Sequence, residues 1–163
     1  MKEKNKLFIP YVITLIGTIM MFLLLVLPFT TATDEYAERL NRFADTEVYK
    51  GLSLTCADVK NVSLVDYARI YVAVGENFWK NEYAGWIYAG LIAAIGLFSL
   101  IAVIKAIRKK PIGIIISTIF TVITVAIFNW DLSARHVVQN ENYVWGVAHY
   151  CYYIIPVSYT HLR

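Results

Sequence analysis

The stretch LFIPYVITLIGTIMMFLLLVLPF, residues 7–29, decides the medium in which this chain folds, because it holds no charged side chain from end to end. A helix rises 1.5 Å per residue, so about 20 apolar residues cross the roughly 30 Å hydrocarbon core of a bilayer. In hydrocarbon an amide has no water to bond, and a helix satisfies its backbone groups within one segment. The reading is an integral membrane protein. Pro10 stands near the start, where a helix's first turn tolerates a missing N–H, and Pro28 closes the run. Lys2, Lys4 and Lys6 precede it, as in a secretory signal peptide, whose apolar core is only about 7–15 residues. The longer core here favours an uncleaved anchor, with Thr30-Thr31-Ala32 left open as a cleavage site.

Outward from that segment, two more apolar runs cover 85–107 and 112–130, and between them stand Lys105, Arg108, Lys109, Lys110 and Pro111. So short a connection makes an antiparallel hairpin. Cytoplasmic loops are enriched in Lys and Arg, which assigns the amino terminus (1–6) and the basic turn (108–111) to one side. A fourth run, 143–157, is too short to cross alone. The expected architecture is all-α: an antiparallel four-helix transmembrane bundle with its fourth span truncated. It is multi-pass in the cell membrane with a cytoplasmic amino terminus, a small, mostly helical extracytoplasmic cap over 30–84 and an outer loop over 131–142.

Hydrophobic residues make up 58% of the 163 and charged ones 17%, against about 25% charged in soluble domains. The excess apolar surface is what a bilayer covers. Lys and Arg form no long run and no basic–aromatic stripe, which argues against nucleic acid as a partner. Cys56 and Cys151 fit neither a metal spacing nor a disulfide framework, and a free thiol is expected for each.

Within the cap segment nine acidic residues outnumber six basic ones. Thr33 before Asp34 and Glu35 reads as a helix start, with a hydroxyl cap and acids at the positive end of the dipole. Glu35 with Arg39 and Glu38 with Arg42 stand four apart in the favoured order, and Tyr36, Leu40 and Phe43 share the other face. Ser63 with Asp66 gives a variant capping box, followed by the stripe Leu64, Tyr67, Tyr71 and Val74 up to Gly75. Residues 47–55 are expected to be extended, and Phe78, Trp79, Tyr83 and Trp86 to form an interface belt.

Few residues suggest chemistry. Ala89 with Ala93, Gly90 with Ala94, and then Gly96 are small residues at helix-packing spacing, read as contacts within the chain before self-association. Ser117, Thr121 and Thr124 form a hydroxyl row, each able to bond the carbonyl one turn back. His149 is an ionisable group in an apolar run, with Asn129 as a candidate partner and a structural role preferred. The apolar interiors of the first three runs hold no Asp, Glu, Lys or Arg, whereas proton relays and ion-coupled carriers need them. No phosphate-binding glycine loop, zinc signature or nucleophile elbow occurs. No catalytic, metal or cofactor site is therefore expected.

The segments LFIPYVI (7–13), NVSLVDYAR (61–69), NWD (129–131) and YVWG (143–146) resemble parts of small four-span membrane proteins of gut-type anaerobic bacteria. That resemblance implies four spans with a large first outer loop, and it brings no activity. The loop order is also similar to that of claudins, whose outer-loop tryptophan and paired cysteines are not matched around Cys56. The ending VSYTHLR (157–163) resembles a sequencing-adapter read-through, so the native fourth span is expected to continue past Ile155. Together these readings lead to a non-enzymatic role in envelope interaction or sensing, through cap contacts at Tyr36, Tyr67, Tyr71 and Trp79. The competing class is an accessory or permease subunit of a transport complex. The expected partners are the lipid bilayer and a membrane protein or second copy of this chain.

Overall fold

The computed structural model describes residues 2–79 and 82–160, with side chains described over 9–75 and 83–157. It is mostly helical. Helix α1 covers Lys2–Leu23, α2 Asp34–Asn41, α3 Leu64–Trp79, α4 Glu82–Ile107, α5 Pro111–Ala134 and α6 Val147–Thr160. Three short strands, β1 (Pro28–Ala32), β2 (Asn61–Ser63) and β3 (Tyr143–Trp145), and 3-10 turns at Leu24–Val26 and Asp58–Lys60 complete the described elements. Among the described residues three segments are long and apolar enough to cross a membrane: Ile9–Val26, Tyr83–Ile107 and Pro111–Ala134. Their outward faces carry the side chains that lipid would cover, among them Ile16, Ile87, Leu97, Ile116 and Ile123.

The first apolar run is not one helix from 7 to 29. It tightens into a 3-10 turn at Leu24–Val26, and Leu27 is already extended with φ −87° and ψ 157°. Proline disfavours the helical region for the residue before it, so Pro28 ends the helix and begins β1. The fourth run departs in the same way, since Tyr143–Trp145 is a strand and the helix begins only at Val147. The expected outer loop is shorter too, because α5 continues to Ala134.

The three strands make an antiparallel sheet in the order β2-β1-β3, with Thr30 opposite both Val62 and Trp145. This sheet is an element that the expectation of a mostly helical 30–84 segment did not include. It gathers the ends of α1, α3 and α6 at one place, since β1 follows α1, β2 leads into α3 and β3 into α6. Gly146 is required there: its N–H donates to the Phe29 carbonyl at 2.8 Å, and a Cβ would stand 2.4 Å from the Pro28 oxygen.

Both predicted caps form. The Thr33 hydroxyl accepts from the Tyr36 N–H at 3.4 Å, and Glu35 pairs with Arg39, although Glu38–Arg42 is not among the ion pairs of the described residues. Ser63 and Asp66 bond reciprocally: the Ser63 N–H (3.2 Å) and hydroxyl (2.6 Å) donate to the carboxylate, and the Asp66 N–H donates back at 3.2 Å. From there α3 passes Gly75 and runs on to Trp79. Phe43 lies beyond the end of α2 and is 64% exposed, so it does not share the inward face of Leu40. The segment expected to be extended forms only a single bridge, Glu47 with Thr55.

The stripe on α3 faces inward. Leu64, Tyr67 and Tyr71 are buried together with Phe29, Phe128 and Tyr152. Close approach of α3 to α4 depends on Gly85, where a Cβ would lie 2.2 Å from the Tyr71 carbonyl oxygen. Any side chain there meets backbone that has nowhere to move.

Candidate functional site

The densest polar arrangement lies where α3, α4, α5 and β1 meet. Asp131 and Arg135 stand four residues apart at the carboxyl end of α5, a spacing that lets them form an ion pair. Arg135 also donates to the Tyr71 hydroxyl at 2.8 Å, and the Tyr88 hydroxyl donates to the second oxygen of Asp131 at 3.0 Å. The guanidinium lies 4.7 Å from the ring centre of Tyr88 and 5.2 Å from that of Tyr71, within cation–π range. Those two rings stack at 4.7 Å, Tyr67 continues the stack at 6.0 Å, and its hydroxyl shares a 2.9 Å hydrogen bond with Thr30. One chain of contacts thus joins α5, α4, α3 and β1.

The phenols of Tyr67 and Tyr71 are held neutral. Burial pushes Tyr67 up to about 12, against the opposing pull of its Thr30 bond and the Arg135 charge. Burial likewise raises Tyr71, and the neighbouring guanidinium only partly offsets it. Near neutral pH these groups are fixed donors and acceptors, which suits a latch between elements rather than proton transfer. A second anchor lies nearby: the Tyr143 hydroxyl donates to the Val59 carbonyl at 2.8 Å, and its ring meets Tyr36 at 5.3 Å. Arg69 donates to the Leu52 carbonyl at 3.1 Å, pinning the 47–55 loop onto α3. Beside it, Gly51, Leu52, Val72 and Ala89 help to line an open groove of about 430 Å³.

The residues chosen from sequence are placed differently from expectation. Tyr67 and Tyr71, read as contacts for a partner, are 6% and 7% exposed, and Tyr36 is half-buried against Tyr143. They pack inward instead of presenting a contact surface. The side chain of Trp79 lies outside the described residues.

His149 sits in the first turn of α6, 9% exposed, stacked on Trp145 at 4.2 Å with the Phe29 ring edge-on at 5.7 Å. Its Nδ1 is buried with no hydrogen-bond partner among the described residues. Asn129 does not reach it. The Asn129 amide instead donates to the Tyr153 hydroxyl at 3.3 Å, and the Tyr153 ring stands 5.4 Å from that of His149.

Ser117, Thr121 and Thr124 are buried, and each donates within its own helix: to Gly113 at 2.8 Å, Ser117 at 3.0 Å and Phe120 at 2.7 Å. The small residues of α4 split between faces. Gly90 and Ala93 are exposed, with nothing within 4 Å of a Cβ at Gly90; Ala89, Ala94 and Gly96 are half-buried, and Gly96 meets the Leu25 side chain.

Sequence reasoning overlooked Tyr88, Arg135 and the packing role of Gly85. The acid–base spacing of Asp131 and Arg135 was visible, but their aromatic partners are 43 and 64 residues away in the chain. Among the described residues no group of three or more His, Cys, Asp or Glu is placed to hold a metal ion. Comparison of the chain with protein-family models, curated proteins and solved structures gave no match.

Proposed function

We propose that the chain is a multi-pass protein of the cell membrane that presents a rigidly held extracytoplasmic cap, and that its role is non-enzymatic: envelope interaction or sensing. In this reading the amino terminus and the α4–α5 turn face the cytoplasm, and α6 belongs to a fourth crossing of the bundle. Supporting the common side for the first two, the Lys109 ammonium lies 5.1 Å from the Tyr11 ring centre, so the start of α1 and the basic turn share one end.

The observation that carries the proposal is the division of the cap into two faces. Its tyrosines are turned inward onto the helices, while Phe43 (64% exposed) and Val48 (46% exposed) stand on the outside of a charged segment. Apolar side chains in such a setting are the surface a partner would use. The contact surface therefore moves from the tyrosines to Phe43, Val48 and the neighbouring groove at Gly51 and Arg69. A photo-crosslinking side chain at Phe43 should give a discrete protein adduct in native membranes, and the same group at Ile116 only lipid. Lipid adducts alone at both positions would contradict the proposal.

The transport-accessory reading needs the hydroxyl row or His149 to face a path. Hydroxyls bonded within their own helix and an imidazole enclosed by Phe29, Trp145 and Tyr153 support it less.

A further inference from the structure

We propose that the turn between α4 and α5 is a binding site for the headgroup of an anionic phospholipid. The inference goes beyond the cap reading and shares with it only the membrane-crossing helices.

From Tyr83 to Trp130 the chain has no Asp or Glu, and its only cations are Lys105, Arg108, Lys109 and Lys110. All four fall within one turn. Arg108, Lys109 and Lys110 are exposed, and none of the four joins an ion pair among the described residues. Among the described residues no acidic side chain pairs with them.

The backbone holds them in place. The Arg108 N–H donates to Ile104 at 3.1 Å and the Lys110 N–H to Lys105 at 2.9 Å, while Lys109 takes the left-handed conformation, φ 53°, that reverses the chain. The stem of Lys105 lies over Gly113, its Cδ 2.9 Å from where a Cβ would stand, so this cation leans across the turn onto α5. Tyr11 of α1 forms an aromatic wall beside Lys109.

Directly next to the cations stand exposed apolar side chains: Ile104 and Ile107 on α4, Ile112 and Ile116 on α5. A cationic cluster at the rim of an apolar surface matches the two parts of a phospholipid. The phosphate lies against Arg108, Lys109 and Lys110, and the acyl chains follow the isoleucines. A zwitterionic lipid brings its own cation and gains little, whereas net negative charge is favoured by roughly fivefold per nearby Lys or Arg.

The test is native mass spectrometry of the full chain in detergent, titrated with phosphatidylglycerol and phosphatidylcholine of the same acyl composition. Phosphatidylglycerol should bind at about tenfold lower concentration or better. The triple variant Arg108→Gln, Lys109→Gln, Lys110→Gln should remove that preference with helix content unchanged by circular dichroism. Each single substitution should weaken it severalfold, which keeps the test decisive if the triple variant misfolds. Lys50→Gln with Lys60→Gln, in the cap, should leave it intact. Equal binding of the two lipids, or a preference surviving the single and triple variants, overturns the proposal. So does displacement by inorganic phosphate at matching concentration, which would make free phosphate the ligand, or by an acidic peptide. A missing Phe43 crosslink with the lipid preference retained would sink the cap reading alone.

Discussion

Two regions of the molecule satisfy buried polar groups in opposite ways. Along the middle of α5, Ser117, Thr121 and Thr124 each bond a carbonyl of their own helix. At its end, Asp131 and Arg135 bond side chains of α4 and α3. A hydroxyl that bonds its own helix is satisfied whatever stands opposite, so it says nothing about which neighbour belongs there. The Arg135 guanidinium, paired with Asp131, bonded to the Tyr71 hydroxyl and set against the Tyr88 ring, keeps these contacts only while α3, α4 and α5 hold their places. The difference teaches where the arrangement is specified: at the junction of α3, α4, α5 and β1, with the middle of α5 relying on apolar fit.

The sharpest way to break that contrast is Gly85→Leu. A side chain there strikes the Tyr71 carbonyl, so α3 must leave α4. The expected loss is about 3 kcal/mol or more, the upper range for overpacking, read as protease sensitivity of the 34–79 segment in detergent. Wild-type resistance in that variant would show that the close approach is not needed.

Next in size is Arg135→Gln, which leaves Asp131 without its charged partner and Tyr71 without its donor. A cost of about 2 kcal/mol is expected, the range for hydrogen bonds to charged groups, measured by denaturant unfolding in micelles. Pairing it with Tyr71→Phe sharpens the comparison, because a shared network gives a double substitution less costly than the sum. Strict additivity would count against a shared network.

These two residues also show what sequence can and cannot reveal here. The Thr33 cap, the Ser63–Asp66 box and the three long apolar helices were legible because each is local, written within a few residues or in unbroken length. The sheet was not legible. β2 and β3 are three residues each, too short for an alternating pattern, and Thr30 is paired with residues 32 and 115 positions later in the chain. The stripe on α3 is legible as a stripe, but the roles of Tyr67 and Tyr71 are not, since an aromatic ring with a hydroxyl suits a partner contact as well as a core. Nor could the sequence disclose that Tyr88 lies beside Asp131.

Smaller again is Tyr67→Phe, which removes the bond to Thr30 and should cost about 1 kcal/mol. This residue also sets an alkaline limit. Its folded pKa, about 12, is above the ordinary value near 10, so the native state holds the proton more tightly than the unfolded chain does. Its contribution is full below pH 10 and is lost as the pH rises towards 12. Tyrosinate absorbance followed from pH 10 upwards should therefore lose part of its latest step in the Tyr67→Phe variant. The smallest effect belongs to the other region: Thr121→Val should change stability by under about 0.5 kcal/mol, because the hydroxyl bonds only its own helix. A loss near that of Arg135→Gln would erase the contrast between the two regions.

The proposed topology puts lipid around the long helices, with the cap and the basic turn on opposite sides of it. The most direct measurement is labelling with a membrane-impermeant thiol reagent in intact cells, using Asp45→Cys and Lys109→Cys in a chain whose Cys56 and Cys151 are replaced by serine. The account predicts that position 45 is labelled at once and position 109 only after the membrane is opened. Labelling of both positions in intact cells, or of neither until permeabilisation, would contradict it.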